Sequence, residues 1–350
     1  MRIAVDVMGG DHGSAVVVDG VALALASQPG ISEIILVGEK SEIEAGLKRA
    51  RCHDKRVRVV HASEVMTMED KPRDAVRRKK DCSMVRAIEL VRDGHAEAVI
   101  SPGNTGGLVA AATLKLRRLE AVDRPAIATV MPSATSEFLL LDAGANHECK
   151  PIHLLQFALM GNVYSREILG KKSPRVGILS NGTEETKGNE LTRESAKLCR
   201  QVDFNFIGYV EGHDLFADEV DVVVTDGFVG NIVLKSVESI AHAILQTVKR
   251  ELTATRVRQF GAMLARGAFR KLKQRMDPDA YGGAPLLGLN GIVIKAHGSA
   301  KEKAIMNAIR VAGETIQHRI NETMANEIRR ADERLGLSKT AVHASAAAEA

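Results

Sequence analysis

Three apolar, β-branched segments of this chain each end in a short turn rich in glycine and asparagine, and a helical pattern follows each turn directly. The turns occupy residues 101–107, 181–189 and 226–231. A turn of this kind presents backbone N–H groups and the positive end of a helix dipole at the carboxyl edge of a sheet, where a phosphate or carboxylate binds well. Three such turns in one chain indicate an α/β protein that binds an anion.

Apolar runs typical of strands alternate along the chain with helical patterns. The runs cover residues 3–5, 34–37, 57–60, 98–100, 126–130, 138–141, 176–179, 206–209 and 222–224. Continuous apolar runs suit strands buried on both faces, and their alternation with helices suits a mainly parallel sheet. The predicted fold class is therefore α/β, with a mainly parallel sheet flanked by helices. Core-facing amphipathic helices are predicted from Pro151 onward and from Asn231 to Val248.

The domain organisation follows from length and composition. With 350 residues and 45% hydrophobic content, the chain is long enough to bury a large core. No composition break marks a linker, so residues 1–335 are predicted to form a single large α/β domain. The low-complexity residues 336–350 are predicted to be a disordered tail.

Composition and missing motifs exclude several classes of protein. Aromatic residues make up only 3% of the chain and tryptophan is absent, which argues against a nucleic-acid surface built on base stacking. We find no secretory signal and no apolar run near the roughly 18 residues that span a bilayer, so a cytoplasmic location is expected. The four cysteines form no C-x-x-C pair, and no metal or cofactor is expected. Motifs of metalloproteases, serine hydrolases and P-loop NTPases are also absent.

Residues 249–276 form a basic segment with apolar residues interleaved. Nine basic residues lie between Lys249 and Arg275, against the single acid Glu251. A cationic amphipathic pattern of this kind binds an anionic membrane surface or an acidic protein. The predicted contact residues are Arg256, Arg258, Arg266, Arg270, Lys271 and Lys273. An ordinary surface helix hairpin is the alternative, which the scarcity of balancing acids disfavours.

Polar residues and glycines that follow predicted strands are candidates for binding a substrate. Asp6, Gly9 and Gly10 come directly after the first strand, and Asp142 and Asn146 come at the end of another. Open α/β sheets bind ligands at the carboxyl ends of their strands, which favours a binding role. Other interpretations stay open, because a Gly-Gly pair also forms tight turns, and Asp and Asn also form Asx turns or helix caps.

The basic stretch at residues 71–84 suits a cationic wall for a phosphorylated ligand. Within it Arg77 and Lys80 are favoured, since their spacing fits one helix face, and Ser83 is a candidate hydroxyl donor. A solvated basic helix face is the alternative. His297 follows a further apolar run, although a lone histidine is more often structural.

Taken in order, these segments resemble the bacterial phosphate acyltransferases, the acyl-carrier-protein:phosphate transacylases of phospholipid synthesis. The resemblance covers residues 1 to about 335. It rests on residues 6–11, 77–84, 103–106, 124–126, 141–146, 182–188, 226–231, 286–291 and 295–298. It implies a fold like that of phosphotransacetylases and of the isocitrate and isopropylmalate dehydrogenases, a homodimer, and a peripheral location at the inner face of the cell membrane. Ser180 stands where the family has asparagine, so Asn181 inherits no role.

The implied reaction is attack by inorganic phosphate on the thioester of an acyl carrier protein. Such an enzyme must hold the phosphate in line and stabilise an oxyanion, and it needs no nucleophile of its own. The expected phosphate-binding residues are Gly103, Asn104, Thr105, Gly106, Gly230 and Lys80. The catalytic candidates are Lys187, Asn231, Asp226 and His297. The basic segment is expected to contact the carrier protein, the membrane, or a membrane-bound glycerol-phosphate acyltransferase.

Two other functions remain open at this point. A phosphotransacetylase acting on coenzyme A thioesters is the alternative within enzymes, because the same fold hosts related chemistries. A non-enzymatic adaptor at a membrane surface is the alternative from another class. A dehydrogenase is disfavoured, since no metal-binding carboxylate cluster is evident.

Overall fold

A computed structural model of the protein describes residues 1–67, 69–275 and 281–336. The eleven strands within these residues form one mixed sheet flanked by helices, which confirms the α/β class and the mainly parallel sheet. The strands are β1 (Arg2–Asp6), β2 (Glu33–Gly38), β3 (Val57–His61), β4 (Ala98–Ser101), β5 (Ala126–Pro132), β6 (Glu137–Leu141), β7 (Val176–Leu179), β8 (Phe206–Val210), β9 (Val222–Val224), β10 (Ala284–Leu287) and β11 (Ile292–Lys295). The predicted tail at residues 336–350 lies, except for Gly336, outside the described residues.

Helices fill most of the connections between the strands, except those of β5 to β6 and β10 to β11. They are α1 (Ser14–Ser27), α2 (Lys40–Arg49), α3 (Pro72–Arg78), α4 (Ser83–Arg92), α5 (Thr105–Leu116), α6 (Pro151–Glu167), α7 (Glu190–Cys199), α8 (Gly227–Thr253), α9 (Arg256–Leu264), α10 (Arg266–Arg275), α11 (Glu302–Gln317) and α12 (Ile320–Arg334). All nine predicted runs form strands, β1 to β9. Most residues are buried in seven of these strands, whereas β3 and β8, the two terminal strands of the sheet, are more exposed.

The strands run in the order β3-β2-β1-β4-β11-β10-β5-β6-β9-β7-β8. The first five are parallel to one another, and so are the last four. Between these groups, β10 and β5 are antiparallel to both of their neighbours. Three successive reversals therefore separate β11 from β6. As a result, the two parallel groups point in opposite directions and their carboxyl ends lie at opposite edges of the sheet.

The two predicted helices behave differently. In α6, which has Pro151 at its start, every residue from His153 to Ser165 is buried, so this helix lies in the core as predicted. By contrast, α8 begins at Gly227, four residues before Asn231, and only Gly227 and Gly230 are fully buried along its length. By length and composition α8 could cross a membrane, a test that helices of soluble proteins also pass.

Part of the apolar surface of α8 is left exposed. The core contacts Val233, Leu234 and Val237 of this helix. Other large apolar side chains of α8 are exposed, and these are Phe228, Ile232, Ile240 and Ile244. Ile240 and Ile244 lie seven residues after Val233 and Val237, so they continue the same stripe beyond the part of α8 that packs on the core. The expectation that α8 faces only the core is therefore wrong, because the described chain covers only part of its apolar surface.

Candidate active site

The carboxyl ends of β1, β4 and β11 meet around a buried carboxylate. Asp6 is fully buried and accepts hydrogen bonds from Ser83 Oγ at 2.7 Å, Ser101 Oγ at 2.6 Å and the Met8 N–H at 3.2 Å. Burial raises the pKa of Asp6, and these hydrogen bonds oppose the rise. Asp6 and Ser83 were predicted to contact a substrate, but their polar groups are engaged with each other beneath the surface. Both positions hold the neighbouring turns in place.

The turn after β4 leads directly into α5. Its Asn104 side chain caps this helix, since Oδ1 accepts from the Gly107 N–H at 2.8 Å, while Nδ2 donates to the Thr67 carbonyl at 3.3 Å. The N–H groups of Thr105 and Gly106 make no hydrogen bond within residues 1–67, 69–275 and 281–336. Both residues are exposed. This helix end therefore offers two free N–H donors to an anion.

Close backbone packing explains the glycines of this cluster. A Cβ added at Gly9 would lie 2.6 Å from the Gly103 Cα, and one added at Gly10 would lie 3.3 Å from the Pro102 ring. The predicted phosphate ligand Gly103 is itself buried, and its N–H donates to Ser101 Oγ at 3.1 Å. Gly9, Gly10 and Gly103 thus allow the loops to approach one another, and the Gly103 N–H is not available to a ligand.

The basic stretch beside the turn differs from its prediction. Helix α3 ends at Arg78, so Arg77 and Lys80 do not share one helix face, and that expectation is wrong. Both side chains are exposed and make no hydrogen bond or ion pair with any described residue. The start of α3 packs on the turn after β4, since a Cβ added at Gly106 would lie 3.0 Å from the Pro72 ring. Arg77 therefore lies on a helix whose start borders the turn, and Lys80 lies two residues after that helix ends.

Lys295 is a further member of this cluster, and it is not among the predicted site residues. It ends β11 directly beside Ser101 of β4, and its ammonium donates to the Pro102 carbonyl at 3.3 Å and to the Ala296 carbonyl. Burial lowers its pKa from 10.5 to about 8. A lysine that directly follows an apolar strand was the available signal. By contrast, the predicted His297 is exposed, and its Nδ1 lies 2.8 Å from Ser299 Oγ.

A second buried carboxylate organises the carboxyl ends of β6, β9 and β7. Asp142 accepts hydrogen bonds from the N–H groups of Ile127, Gly144, Ala145 and Asn146 and from Asn146 Nδ2, at 2.7 to 3.1 Å. Asn146 Nδ2 also donates to the Pro125 carbonyl at 2.7 Å. Burial raises the pKa of Asp142, and these hydrogen bonds oppose the rise. Like Asp6, the predicted ligands Asp142 and Asn146 fix a loop from inside.

The predicted turn at residues 226–231 is the first turn of α8. Asp226 caps the helix, with Oδ1 accepting from the Val229 N–H at 2.9 Å. The Gly227 N–H donates to the Asn146 carbonyl at 2.7 Å, and the Gly230 N–H donates to the Asp226 carbonyl at 2.9 Å. Gly230 was expected to bind phosphate, but it is buried and its N–H is used within the helix. Its role is close packing.

Asn231 and Lys187 are exposed polar residues at this second cluster. Asn231 lies beside Gly144, where an added Cβ would come within 3.4 Å of the Asn231 Cβ. The stem of Lys187 covers Gly182, and the Lys187 ammonium makes no hydrogen bond or ion pair in the described part of the chain. Because β7 pairs with β9, both residues lie at the same sheet edge. Asn181 Oδ1, which accepts from the Gly188 N–H at 2.9 Å, holds the Lys187 loop.

Helix α8 links the two clusters. Lys235 lies one helical turn after Asn231, so the two side chains are on the same face. The Lys235 charge is also close enough to Lys295 to contribute to its lowered pKa. Although the two strand groups point in opposite directions, α8 therefore carries Asn231 at the second cluster and, one turn later, a lysine whose charge acts on Lys295 of the first cluster.

The basic segment forms the end of α8 and the helices α9 and α10. The side chains of Arg256, Arg258, Arg266, Arg270 and Lys271 are exposed, whereas the side chain of Lys273 lies outside the described residues, as does Met276. Exposed apolar residues accompany them, with Val257 at 82% and Leu264 at 72% exposure. The end of α8 together with α9 and α10, the basic arm, therefore presents a surface that is both cationic and apolar.

The chain is similar to known proteins along most of its length. A family model described as a fatty acid synthesis protein matches residues 1–323. A phosphate acyltransferase from Citrifermentans bemidjiense is 48% identical over 328 residues, which cover 94% of this chain and 93% of that protein. One from Desulfitobacterium hafniense is 49% identical over 331 residues, covering 94% and 98%. Among solved structures, a phosphotransacetylase from Streptococcus pyogenes matches with a TM-score of 0.61 at 18% identity, covering 91% of this chain and 94% of that one. The structural match confirms the phosphotransacetylase-like fold.

Proposed function

The chain belongs to the phosphate acyltransferase family and is an acyltransferase, and we propose that it transfers a fatty acyl group from an acyl-acyl-carrier-protein to inorganic phosphate. The product is an acyl phosphate for phospholipid synthesis. The observation that carries this proposal is the pair of N–H groups at Thr105 and Gly106 that have no hydrogen bond within the described residues, and the exposed Lys187 and Asn231 supply polar groups for the chemical step.

Phosphate binds at the start of α5 in this proposal. The free N–H groups and the helix dipole favour an anion there, and Asn104 keeps the turn in shape through its cap. Arg77 and Lys80 add positive charge along the border of the turn. Gly103 and Gly230 support the backbone and do not touch the phosphate.

The chemical step joins a phosphate oxygen to the thioester carbonyl carbon. A tetrahedral oxyanion forms, and its collapse breaks the carbon–sulfur bond and releases the phosphopantetheine thiolate. The proton of hydrogenphosphate finally resides on the thiol, so charge and atoms balance. Asn231 Nδ2 donates to the oxyanion, and Lys187 offsets the charge of the oxyanion or of the leaving thiolate.

Asp226 and His297 have supporting roles. Asp226 orients Asn231 by capping α8. His297 lies beside the phosphate turn, on the loop that follows β11, and carries the proton between phosphate and thiolate or water. The reaction requires no cofactor, since phosphate is itself the nucleophile.

The α8 to α10 region supplies the partner surfaces. The exposed apolar face of α8 is covered by a second copy of the chain, giving a homodimer. The arm of α9 and α10 contacts the acidic carrier protein and the inner face of the cell membrane, directly or through a membrane-bound glycerol-phosphate acyltransferase. The protein is then cytoplasmic with a peripheral membrane association.

One assay tests the reaction. Purified protein is mixed with acyl-acyl-carrier-protein and phosphate, and free thiol is followed with and without phosphate; a parallel reaction supplies acyl-coenzyme A as donor. Phosphate-dependent thiol release from the carrier protein is expected to exceed release from coenzyme A by at least tenfold. Equal or greater use of coenzyme A would instead identify a phosphotransacetylase, and no release from either donor would leave the adaptor function.

A further inference from the structure

We propose that Lys295 is a phosphate-site residue with two roles: it fixes the turn after β4 in its anion-binding shape and directs its remaining N–H to the bound phosphate. This proposal rests on the proposed function, since it concerns the same anion site. It adds a residue that comes from β11, a strand distant in sequence from the turn.

One peptide group of the turn is held from both ends. The carbonyl of the Pro102–Gly103 peptide accepts from the Lys295 ammonium at 3.3 Å. The N–H of the same peptide donates to Ser101 Oγ at 3.1 Å, and that hydroxyl donates to the buried Asp6. The orientation of this peptide sets the direction of the chain into α5, and hence where the free N–H groups point.

Lys295 has donor capacity left for a ligand. An ammonium has three N–H donors, and the structure uses two, on the carbonyls of Pro102 and Ala296. No third acceptor is present among residues 1–67, 69–275 and 281–336. Lys295 lies partly open to solvent at the same end of the sheet as the turn. A phosphate oxygen is the partner that matches a charged donor in this place.

The surrounding charges keep the ammonium both available and sensitive to pH. Asp6 from β1 and Asp11 from the following loop favour the charged form, whereas burial and Lys235 from α8 oppose it. The result is a pKa of about 8, so Lys295 is mostly cationic at neutral pH and loses its charge as the pH rises above 8. Phosphate binding through Lys295 should weaken over that range.

The test compares Lys295→Met, Lys295→Gln and Lys295→Arg with the wild type. Lys295→Met removes a charge-assisted hydrogen bond to phosphate. It should therefore raise KM for phosphate by about 10-fold to 100-fold, with KM for the acyl donor changed less than about threefold. Lys295→Gln, which keeps a donor for the Pro102 carbonyl, should raise KM for phosphate by about 10-fold. Lys303→Met, which removes an exposed lysine of α11, is the matched control and should leave both constants unchanged.

A pH series distinguishes the effect of the Lys295 charge on phosphate from the effect of Lys295 on the shape of the turn. Between pH 7.5 and 9 the KM for phosphate should rise in the wild type more than in Lys295→Arg, whose guanidinium stays charged; phosphate ionisation is common to both. Parallel profiles, or an unchanged KM for phosphate in a folded Lys295→Met and Lys295→Gln, would overturn the proposal. Loss of kcat with both KM values unaffected would also overturn it. If the wild type itself releases no thiol in response to phosphate, the proposed function fails instead.

Discussion

Gly230 packs against the main chain of Asp142 so closely that an added Cβ would lie 1.9 Å from the Asp142 carbonyl oxygen. This contact seats the first turn of α8 on the Asp142 loop and fixes the position of Asn231 one residue later. The position of Asn231 therefore depends on the lack of a side chain at Gly230.

Gly230→Ala should move α8 and reduce activity. Alanine favours a helix over glycine by about 1 kcal/mol, but a clash with a backbone oxygen is not relieved by a rotamer change, so the clash dominates. We expect the free energy of unfolding to fall by about 3 kcal/mol, or kcat to fall at least tenfold if the helix shifts instead. Thermal unfolding and thiol release measure the two effects.

The control for that substitution is Gly261→Ala in α9, where an added Cβ meets nothing within 4 Å. It should be neutral or stabilising by up to about 1 kcal/mol. Wild-type stability and activity in Gly230→Ala would mean that α8 is not held by this contact.

Lys187→Ala should lower kcat by about 100-fold and leave stability almost unchanged, because Lys187 is exposed and its ammonium has no partner within the described residues. Lys197→Ala, on the following helix, removes an exposed lysine paired with Glu194 and should change kcat less than twofold. The measurement is the initial rate of acyl phosphate formation over a range of phosphate concentrations. If Lys187→Ala keeps full activity and the same phosphate dependence, the catalytic assignment of Lys187 is wrong.

Local pattern predicted most strands but not how the groups of strands are oriented. Apolar β-branched residues such as Ile34 and Val223 are typical of buried strands, and both are buried here. By contrast, β10 contains Pro285, which interrupts a strand pattern, and its pairing with β11 and β5 creates two of the three reversals. That the two groups of strand ends lie at opposite edges depends on these long-range pairs, which no single segment encodes.

The site was predicted in outline for a similar reason. The residue types of the turns predicted a role for Asn104 and Asn231. The hydrogen bond between Ser101 and Asp6 could not be predicted in this way, because it joins residues 95 positions apart. The sequence pattern predicts the start of α8 four residues too late, because Gly227 and Gly230 have low helix propensity. Tertiary packing of these glycines overrides that propensity. Only the pairing of β11 with β4 shows that Lys295 lies beside the turn.

The exposed face of α8 gives a prediction about assembly. Ile240 is 58% exposed on this face, and placing a charge there should prevent a second copy from covering it. Ile240→Glu is expected to shift the protein from dimer to monomer in sedimentation equilibrium. Leu23→Glu, at an exposed apolar position on α1, should leave the mass unchanged. A monomeric wild type, or a dimeric Ile240→Glu, would exclude this face as the interface.

The basic arm should act through its charge. Reversing Arg256, Arg266 and Arg270 to glutamate should reduce binding to anionic liposomes or use of the carrier protein by at least tenfold at low salt, with a smaller difference at high salt. The matched control reverses Lys48, Lys197 and Lys303, exposed lysines on other helices. Flotation and thiol-release assays over a salt series measure the two properties. Equal behaviour of both triple variants would remove the arm from either role.

Lys295 should also leave a signature in the pH dependence of stability. Its pKa is lowered from 10.5 to about 8 in the folded protein, so between these pH values the unfolded chain binds a proton that the folded chain does not. By linkage, this group makes the free energy of unfolding rise with pH over that window, by up to about 1.4 kcal/mol per pH unit. Lys295→Met lacks this contribution, so the stability of the wild type relative to the variant should increase from pH 8 to pH 10. Urea unfolding at pH 8, 9 and 10 measures the difference, with Lys303→Met as the control for loss of one positive charge. A constant difference between wild type and Lys295→Met would mean that the Lys295 ammonium is as well solvated in the folded protein as in the unfolded chain.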